Sequence, residues 1–165
     1  MSGHQTDKDQ RPAQDSTGLF CAASEVAPLN LHASCVAYGD TRGLLILGPS
    51  GSGKSTLALE IMAYGATLVS DDRTILTKSD GGLIATSPAP IRGMIEARGV
   101  GLLAAQTIPA ARICGIADLS QVEMERLPLP RERVLIGVPI PLLFKVEGRH
   151  FAPALVQWLK GGRCA

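Results

Sequence analysis

Aromatic residues are scarce in this chain of 165 residues: one Trp, two Tyr and three Phe. Proteins that grip single-stranded nucleic acid stack bases on aromatic side chains, and this chain has too few for such a platform. Charge of one sign is also missing. Sixteen Lys and Arg against fifteen Asp and Glu leave a net charge of +1, which supplies no field to hold a phosphate backbone or an acidic membrane. No apolar run approaches the ~20 residues that cross a bilayer. The N-terminus is polar from its first residues and lacks the apolar stretch of a secretory leader. Cys21, Cys35, Cys114 and Cys164 are scattered, with neither a C-x-x-C pair nor metal-ligand spacing. The expectation is a cytoplasmic protein with reduced thiols, and neither nucleic acid nor membrane as a partner.

What is present is a globular composition, 45% hydrophobic and 19% charged, sufficient for the core of one domain. Residues 1–24 are rich in Gln, Asp, Ser, Lys and Gly and can bury almost nothing. They are predicted to be a disordered tail, and His4 is discounted with them. Residues 25–165 are predicted to form a single domain.

The strongest signal is Gly48-Pro49-Ser50-Gly51-Ser52-Gly53-Lys54-Ser55, which fits G-x-x-x-x-G-K-[ST], the phosphate-binding P-loop. Leu44-Leu45-Ile46-Leu47 before it has the length of a buried strand, and the residues from Ser55 to Tyr64 carry apolar side chains at helical spacing. Strand, glycine loop and helix are the context the motif needs. Glycines let the backbone curl until several N–H groups face phosphate oxygens, and the helix N-terminus adds partial positive charge behind them. Lys54 brings a full charge to the β- and γ-phosphates, and the Ser55 hydroxyl is placed to ligate Mg²⁺. The predicted nucleotide-binding residues run from Gly48 to Thr56.

Residues 30–38 are predicted to be a strand, and the turn Gly39-Asp40-Thr41-Arg42-Gly43 leads from it into the P-loop strand. The P-loop strand therefore gains an antiparallel neighbour, and His32 at that neighbour's start falls near the P-loop. After the helix, Gly65 is a stop signal, and the apolar stretch from Ala66 runs into Asp71 and Asp72. Side chains alternate along a strand, so the two acids share a direction only if the chain bends. Acids at the carboxyl edge of such a sheet are placed for catalysis or for a metal. Residues 73–77 and 83–86 flank an Asp-Gly turn and form a second hairpin, and Ser87-Pro88-Ala89-Pro90 is expected to be irregular. Glycines interrupt any helix over residues 91–103. There Glu96 and Arg98, two apart on an extended chain, can both face inward, one to a metal and the other to a phosphate. Residues 110–119 read as a strand, and residues 134–144, with Pro139 and Pro141, as an edge strand or irregular connection. Residues 151–160 read as a helix with Pro153 in its first turn.

Taken together, these pieces resemble the catalytic domain of bacterial HPr kinase/phosphorylase, over roughly residues 31–159. The family pattern is a strand histidine, a P-loop of the form G-x-S-G-x-G-K-S, an A-D-D strand end, an E-x-R-G-x-G segment and an acid-Arg-Leu segment. Here these are His32, Gly48 to Ser55, Ser70-Asp71-Asp72, Glu96-Ala97-Arg98-Gly99-Val100-Gly101 and Glu125-Arg126-Leu127. The resemblance implies an α/β P-loop fold related to phosphoenolpyruvate carboxykinase, with a mixed β-sheet flanked by helices. It implies ATP and Mg²⁺, phosphorylation of a serine on the phosphocarrier HPr, and a hexameric homo-oligomer. Asp72 matches the family's general base and His32 a histidine that orients it. Asp71 and Glu96, with Ser55, match the residues at the metal and phosphates. Arg126 matches a catalytic arginine that acts, with Lys54, on the transferring phosphoryl group.

The chain departs from the family in three places. Only about 30 residues precede His32, where family members carry a regulatory domain. The family's P-V-x-x-G-R-N segment, linked to dephosphorylation, is replaced by residues 144–150, which keep Gly148 and Arg149 alone. The chain also stops soon after Trp158. A kinase with weak phosphorylase activity is the expectation. A P-loop kinase of a small metabolite and a non-catalytic ATP-sensing module are the competing readings; the second needs Lys54 and Ser55 but neither Asp72 nor His32.

Overall fold

The computed structural model describes residues 27–39, 41–80 and 82–164. The predicted tail, His4 and Cys21 lie outside these residues. The chain begins with β1 (Leu29–Leu31), β2 (Ser34–Tyr38) and β3 (Arg42–Leu47), followed by the helix α1 (Lys54–Ala63). Next come β4 (Thr67–Ser70), β5 (Thr74–Ser79), β6 (Gly82–Thr86) and the hairpin β7 (Met94–Ala97) and β8 (Gly101–Ala104). The long β9 (Ala110–Val122), β10 (Glu132–Leu135), β11 (Val138–Lys145) and α2 (Phe151–Gly161) complete it. This is the mixed α/β arrangement expected.

Among the described residues nine strands form one mixed sheet, seven of them in the order β1-β5-β6-β9-β3-β2-β4, with β11 added on β9 and β10 on β11. One edge of β9 runs parallel to β3; the other takes β6 along its first residues and β11 along its last. The unbroken apolar run of β3 is explained by burial on both faces. Leu44 and Ile46 turn to the helices, where they meet Leu57 and Ile61 of α1 and Leu155 and Leu159 of α2. Leu45 turns the other way, into a second core with Cys35, Val69, Leu76 and Ile116, closed by the curl of the sheet itself. Gly115 of β9 is fixed by packing: a Cβ there would come within 2.5 Å of the Trp158 ring of α2.

Three local expectations change. The predicted strand over residues 30–38 breaks at His32 and Ala33, because its halves pair with different strands. Leu29–Leu31 pair with β5, whereas Ser34–Tyr38 pair with β3 and β4. The Pro-rich stretch contains one short 3₁₀ turn, Ala89–Ile91, for which the fixed φ of proline is suited. Residues 134–144 hold parts of two strands, joined by a two-residue turn at Ile136 and Gly137. Both turn residues have positive φ, 51° and 74°, as a type I′ hairpin requires. An isoleucine in that position hides the turn from a sequence reading. Pro139 and Pro141 precede Leu142, where pairing with β9 begins, so their missing N–H groups interrupt no bond of that ladder.

Candidate active site

The loop between β3 and α1 curls as its glycines allow. Gly48 (φ 148°) could carry no side chain, since a Cβ would lie 2.6 Å from Ser52 Oγ, and Gly53 (φ 95°) caps α1 in the left-handed region. Lys54 opens the helix and is buried. Its Nζ donates to the carbonyl oxygens of Gly48 and Pro49, both at 3.0 Å, and so lies across the loop. Burial pushes the Lys54 ammonium below the usual lysine range, while the carboxylates of Asp72 and Asp71 pull it back up. Ser52 Oγ is buried with no hydrogen-bond partner among the described residues. Such a donor is costly unless something satisfies it.

Asp71 and Asp72 end β4 beside this loop. The Arg73 N–H donates to the Asp71 carbonyl at 2.7 Å, closing a three-residue turn centred on Asp72, whose φ is 63°. This is the bend that adjacent acids need to face one cavity. Asp71 is buried and held from three sides. Ser34 Oγ (2.5 Å) and Ser55 Oγ (2.9 Å) donate to its Oδ1, and the Glu96 backbone N–H (3.1 Å) donates to its Oδ2. Asp72 is exposed, and its Oδ1 lies 3.2 Å from His32 Nε2.

Register explains the meeting of these residues. β2 pairs with β4 up to Cys35 and Ser70, and β1 pairs with β5 from Leu31 and Thr74. The two paired strands turn the same corner together, at residues 32–33 on one and 71–73 on the other. The break at His32 and the turn at Asp72 are two halves of one bend.

A cavity of about 300 Å³ gathers His32, the loop, Lys54, Ser55, Asp71, Asp72, Glu96 and Arg98. Ser55 and Asp71 offer a hydroxyl and a carboxylate side by side, the hard oxygen donors that Mg²⁺ takes alongside phosphates and water. No cluster of three or more metal-ready His, Cys, Asp or Glu occurs among the described residues. Glu96 reaches Asp71 through its backbone, and its carboxylate lines the same cavity. Arg98 leans over the loop: a Cβ at Gly51 would be 3.9 Å from its Nη2. Arg126 is not brought to this cavity. It sits exposed on the segment after β9, beside exposed Met124 and Leu127.

Sequence reasoning passed over Ser34 and Asp118. Ser34 is a fully buried hydroxyl in an otherwise apolar strand, and that isolation is its only signal. Asp118 ends the apolar part of β9 much as Asp71 ends β4. Burial alone would raise its carboxyl, but bonds from Ser120 and Arg133 hold it below the usual range. It ties β10 to the sheet rather than joining the cavity.

The protein-family description that fits this chain is "HPr Serine kinase C-terminal domain", over residues 25–123. An HPr kinase/phosphorylase of Clostridium botulinum (strain Eklund 17B / Type B) is 48% identical over 82 residues, 49% of this chain and 27% of that protein. One from Caldicellulosiruptor bescii is 35% identical over 134 residues, 72% of this chain and 42% of that protein. The chain thus spans less than half the length of these relatives. The solved HPr(Ser) kinase/phosphatase from Coxiella burnetii superposes with a TM-score of 0.67 at 21% identity, covering 80% of this chain and 88% of that one; at this identity the likeness is one of fold. No helix among the described residues is long and apolar enough to cross a membrane. With its family region spanning the P-loop, the acid pair and their histidine, the chain belongs to the HPr serine kinase C-terminal domain family.

Proposed function

We propose that this chain is an ATP-dependent kinase that phosphorylates a serine hydroxyl of HPr or a related phosphocarrier. The observation that carries the reading is the His32–Asp72 pair facing Lys54 and Ser55 across one cavity. A module that only senses ATP has no use for an exposed carboxylate with an orienting histidine.

In the proposed reaction the serine oxygen attacks the γ-phosphorus, and the bond from that phosphorus to the β–γ bridging oxygen breaks. ADP leaves with the electron pair, and the hydroxyl proton passes to Asp72. His32 holds Asp72 Oδ1 and leaves Oδ2 for the acceptor. Lys54 and the backbone N–H groups of the loop hold the β- and γ-phosphates, and Arg98 supplies a second cation over the loop. Ser55 and Asp71 are the residues to hold Mg²⁺, with Glu96 beside them; when bound, the ion neutralises charge on the β- and γ-oxygens. Asp72 keeps 69% of its side-chain surface in water, which suits an acceptor presented on a protein surface better than one enclosed in a pocket.

Two further readings accompany this. Exposed Met124, Leu127 and Leu129 around Arg126 support a homo-oligomer, which light scattering tests. Residues 144–150 keep only Gly148 and Arg149 of the segment associated with dephosphorylation, which favours a kinase with weak phosphorylase activity. Rapid pyrophosphate release from serine-phosphorylated HPr and inorganic phosphate would overturn that.

The deciding experiment combines the protein, Mg-ATP and HPr, with phosphoserine read by mass spectrometry. Asp72→Asn is expected to slow transfer by about 10²–10⁴ while ADP binding, by calorimetry, stays intact. Transfer that survives Asp72→Asn, or ADP binding without any transfer by the unaltered protein, defeats the reading.

A further inference from the structure

The P-loop has two flanks. The strand order β9-β3-β2-β4 places Asp71 and Asp72 on one side of β3. On the other side stand the ends of β9 and β11. There a second cavity of about 380 Å³ opens, within the range of about 300–1,000 Å³ typical of small-molecule sites. It shares Ser52, Gly53 and Thr56 with the first cavity. The two therefore flank the same stretch of the loop.

We propose that this second cavity holds the nucleoside of the phosphoryl donor. The proposal rests on ATP being that donor. Every acid suited to the transfer lies in the first cavity, so the γ-phosphate belongs there. A triphosphate cradled by the loop then carries its other end past Ser52, Gly53 and Thr56 to the opposite flank. The chemistry of the walls fits a purine or pyrimidine on a ribose. Leu57 and Phe151, both buried, with Leu119 and half-buried Val146, offer apolar surface to the faces of the base. Glu60 from α1 and Glu147 from the loop before α2, both exposed, offer carboxylates to an exocyclic amine or the ribose hydroxyls. Ser52, with its unpartnered buried hydroxyl, sits where the two cavities meet.

The family region ends at residue 123, and the resemblance to the dephosphorylation segment keeps only Gly148 and Arg149 of the wall formed by residues 145–151, neither of which supplies its apolar surface. In this reading, that wall sets affinity for the nucleoside and leaves the phosphate site untouched.

The test compares ADP with inorganic pyrophosphate, which carries the phosphates without the nucleoside. Val146→Trp places an indole in the cavity from its half-buried wall. It is expected to weaken ADP binding by about tenfold or more and to leave pyrophosphate binding within twofold of the unaltered protein. Photolabelling the unaltered protein with 8-azido-ADP, followed by peptide mapping, needs no substitution to fold. Label is expected on residues 56–60 or 145–151. ADP that binds but labels the flank of Asp72 and Arg98 overturns the nucleoside site while ATP remains the donor. Pyrophosphate binding without ADP binding overturns both.

Discussion

Replacing Ser34 by alanine tests how Asp71 is held. The Ser34 side chain is fully buried, and its hydroxyl donates to Asp71 Oδ1 at 2.5 Å, the length of a charge-assisted O–H···O⁻ bond. In Ser34→Ala the carboxylate stays buried and keeps two donors, the Ser55 hydroxyl and the Glu96 N–H. Hydrogen bonds to charged groups contribute about 1.5–3 kcal/mol, and water cannot easily replace a donor at a fully buried position. The expected loss is therefore about 2 kcal/mol. With a urea m-value of about 2 kcal/mol per molar, the denaturation midpoint falls by about 1 M. A double-mutant cycle with Asp71→Asn isolates the pair, and its coupling energy should exceed about 1 kcal/mol. A midpoint shift below about 0.25 M (roughly 0.5 kcal/mol), or additive effects in the cycle, would refute the account. The same variant should weaken Mg-ADP binding more than ADP binding without metal, because Asp71 loses the group that fixes Oδ1 beside Ser55.

Three other outcomes follow from the structure. His32→Ala should lower kcat with little change in KM for ATP and should alter the pH profile of kcat, since His32 touches Asp72 and not the loop; an unchanged profile would assign His32 a structural role. Gly115→Ala forces a Cβ to within 2.5 Å of the Trp158 ring and should destabilise by about 1–3 kcal/mol, with a red shift in the emission of the only tryptophan and equal emission maxima counting against the packing. Arg133→Met removes the cation 2.8 Å from buried Asp118. The folded carboxyl of Asp118 is held below its ordinary value of 3.8, so the stability it contributes is complete above that pH and is lost as pH falls through the lower, folded value. Arg133→Met should cost about 1–3 kcal/mol at pH 7, less than the ~3–5 of a fully buried pair because Arg133 stays partly in water. The gap from the unaltered protein should close in acid, and a gap independent of pH would refute the pairing.

The parts of the site legible in the sequence are those in which chemistry and backbone make the same demand. Gly48 must be glycine for steric reasons and Lys54 must be lysine for charge, so the P-loop announces itself twice. Asp71 and Asp72 were legible as a pair, and the need for a bend between them followed from strand alternation. The bend itself was not legible, because Asp tolerates positive φ without requiring it. The same limit hid the Ile136-Gly137 turn. Register was also out of reach. Nothing local to residues 30–38 tells that Leu31 pairs with Thr74 while Cys35 pairs with Ser70, since both choices depend on partners some 35–45 residues away. Ser34 was missed for a related reason: its value lies in what faces it across the sheet.

The corner shared by β1–β2 and β4–β5 connects fold to function. A straight β2–β4 pair would send Asp72 to the face opposite Asp71, and the site would have one acid. The turn that prevents this holds Asp72 at a φ of 63°, a conformation that costs a non-glycine residue about 1 kcal/mol or more. The cost is met by packing on both sides of the corner: Thr74 is fully buried and bonded to Ser70 Oγ and the Ala33 carbonyl, and Ser34 grips Asp71. These contacts touch no substrate. They keep a buried acid, the one proposed for the metal, and an exposed acid, the one proposed for the proton, on adjacent residues with different environments. The division of labour proposed for Asp71 and Asp72 thus depends on the corner, and substitutions in Thr74 or Ser34 should impair the site without altering any group proposed to react.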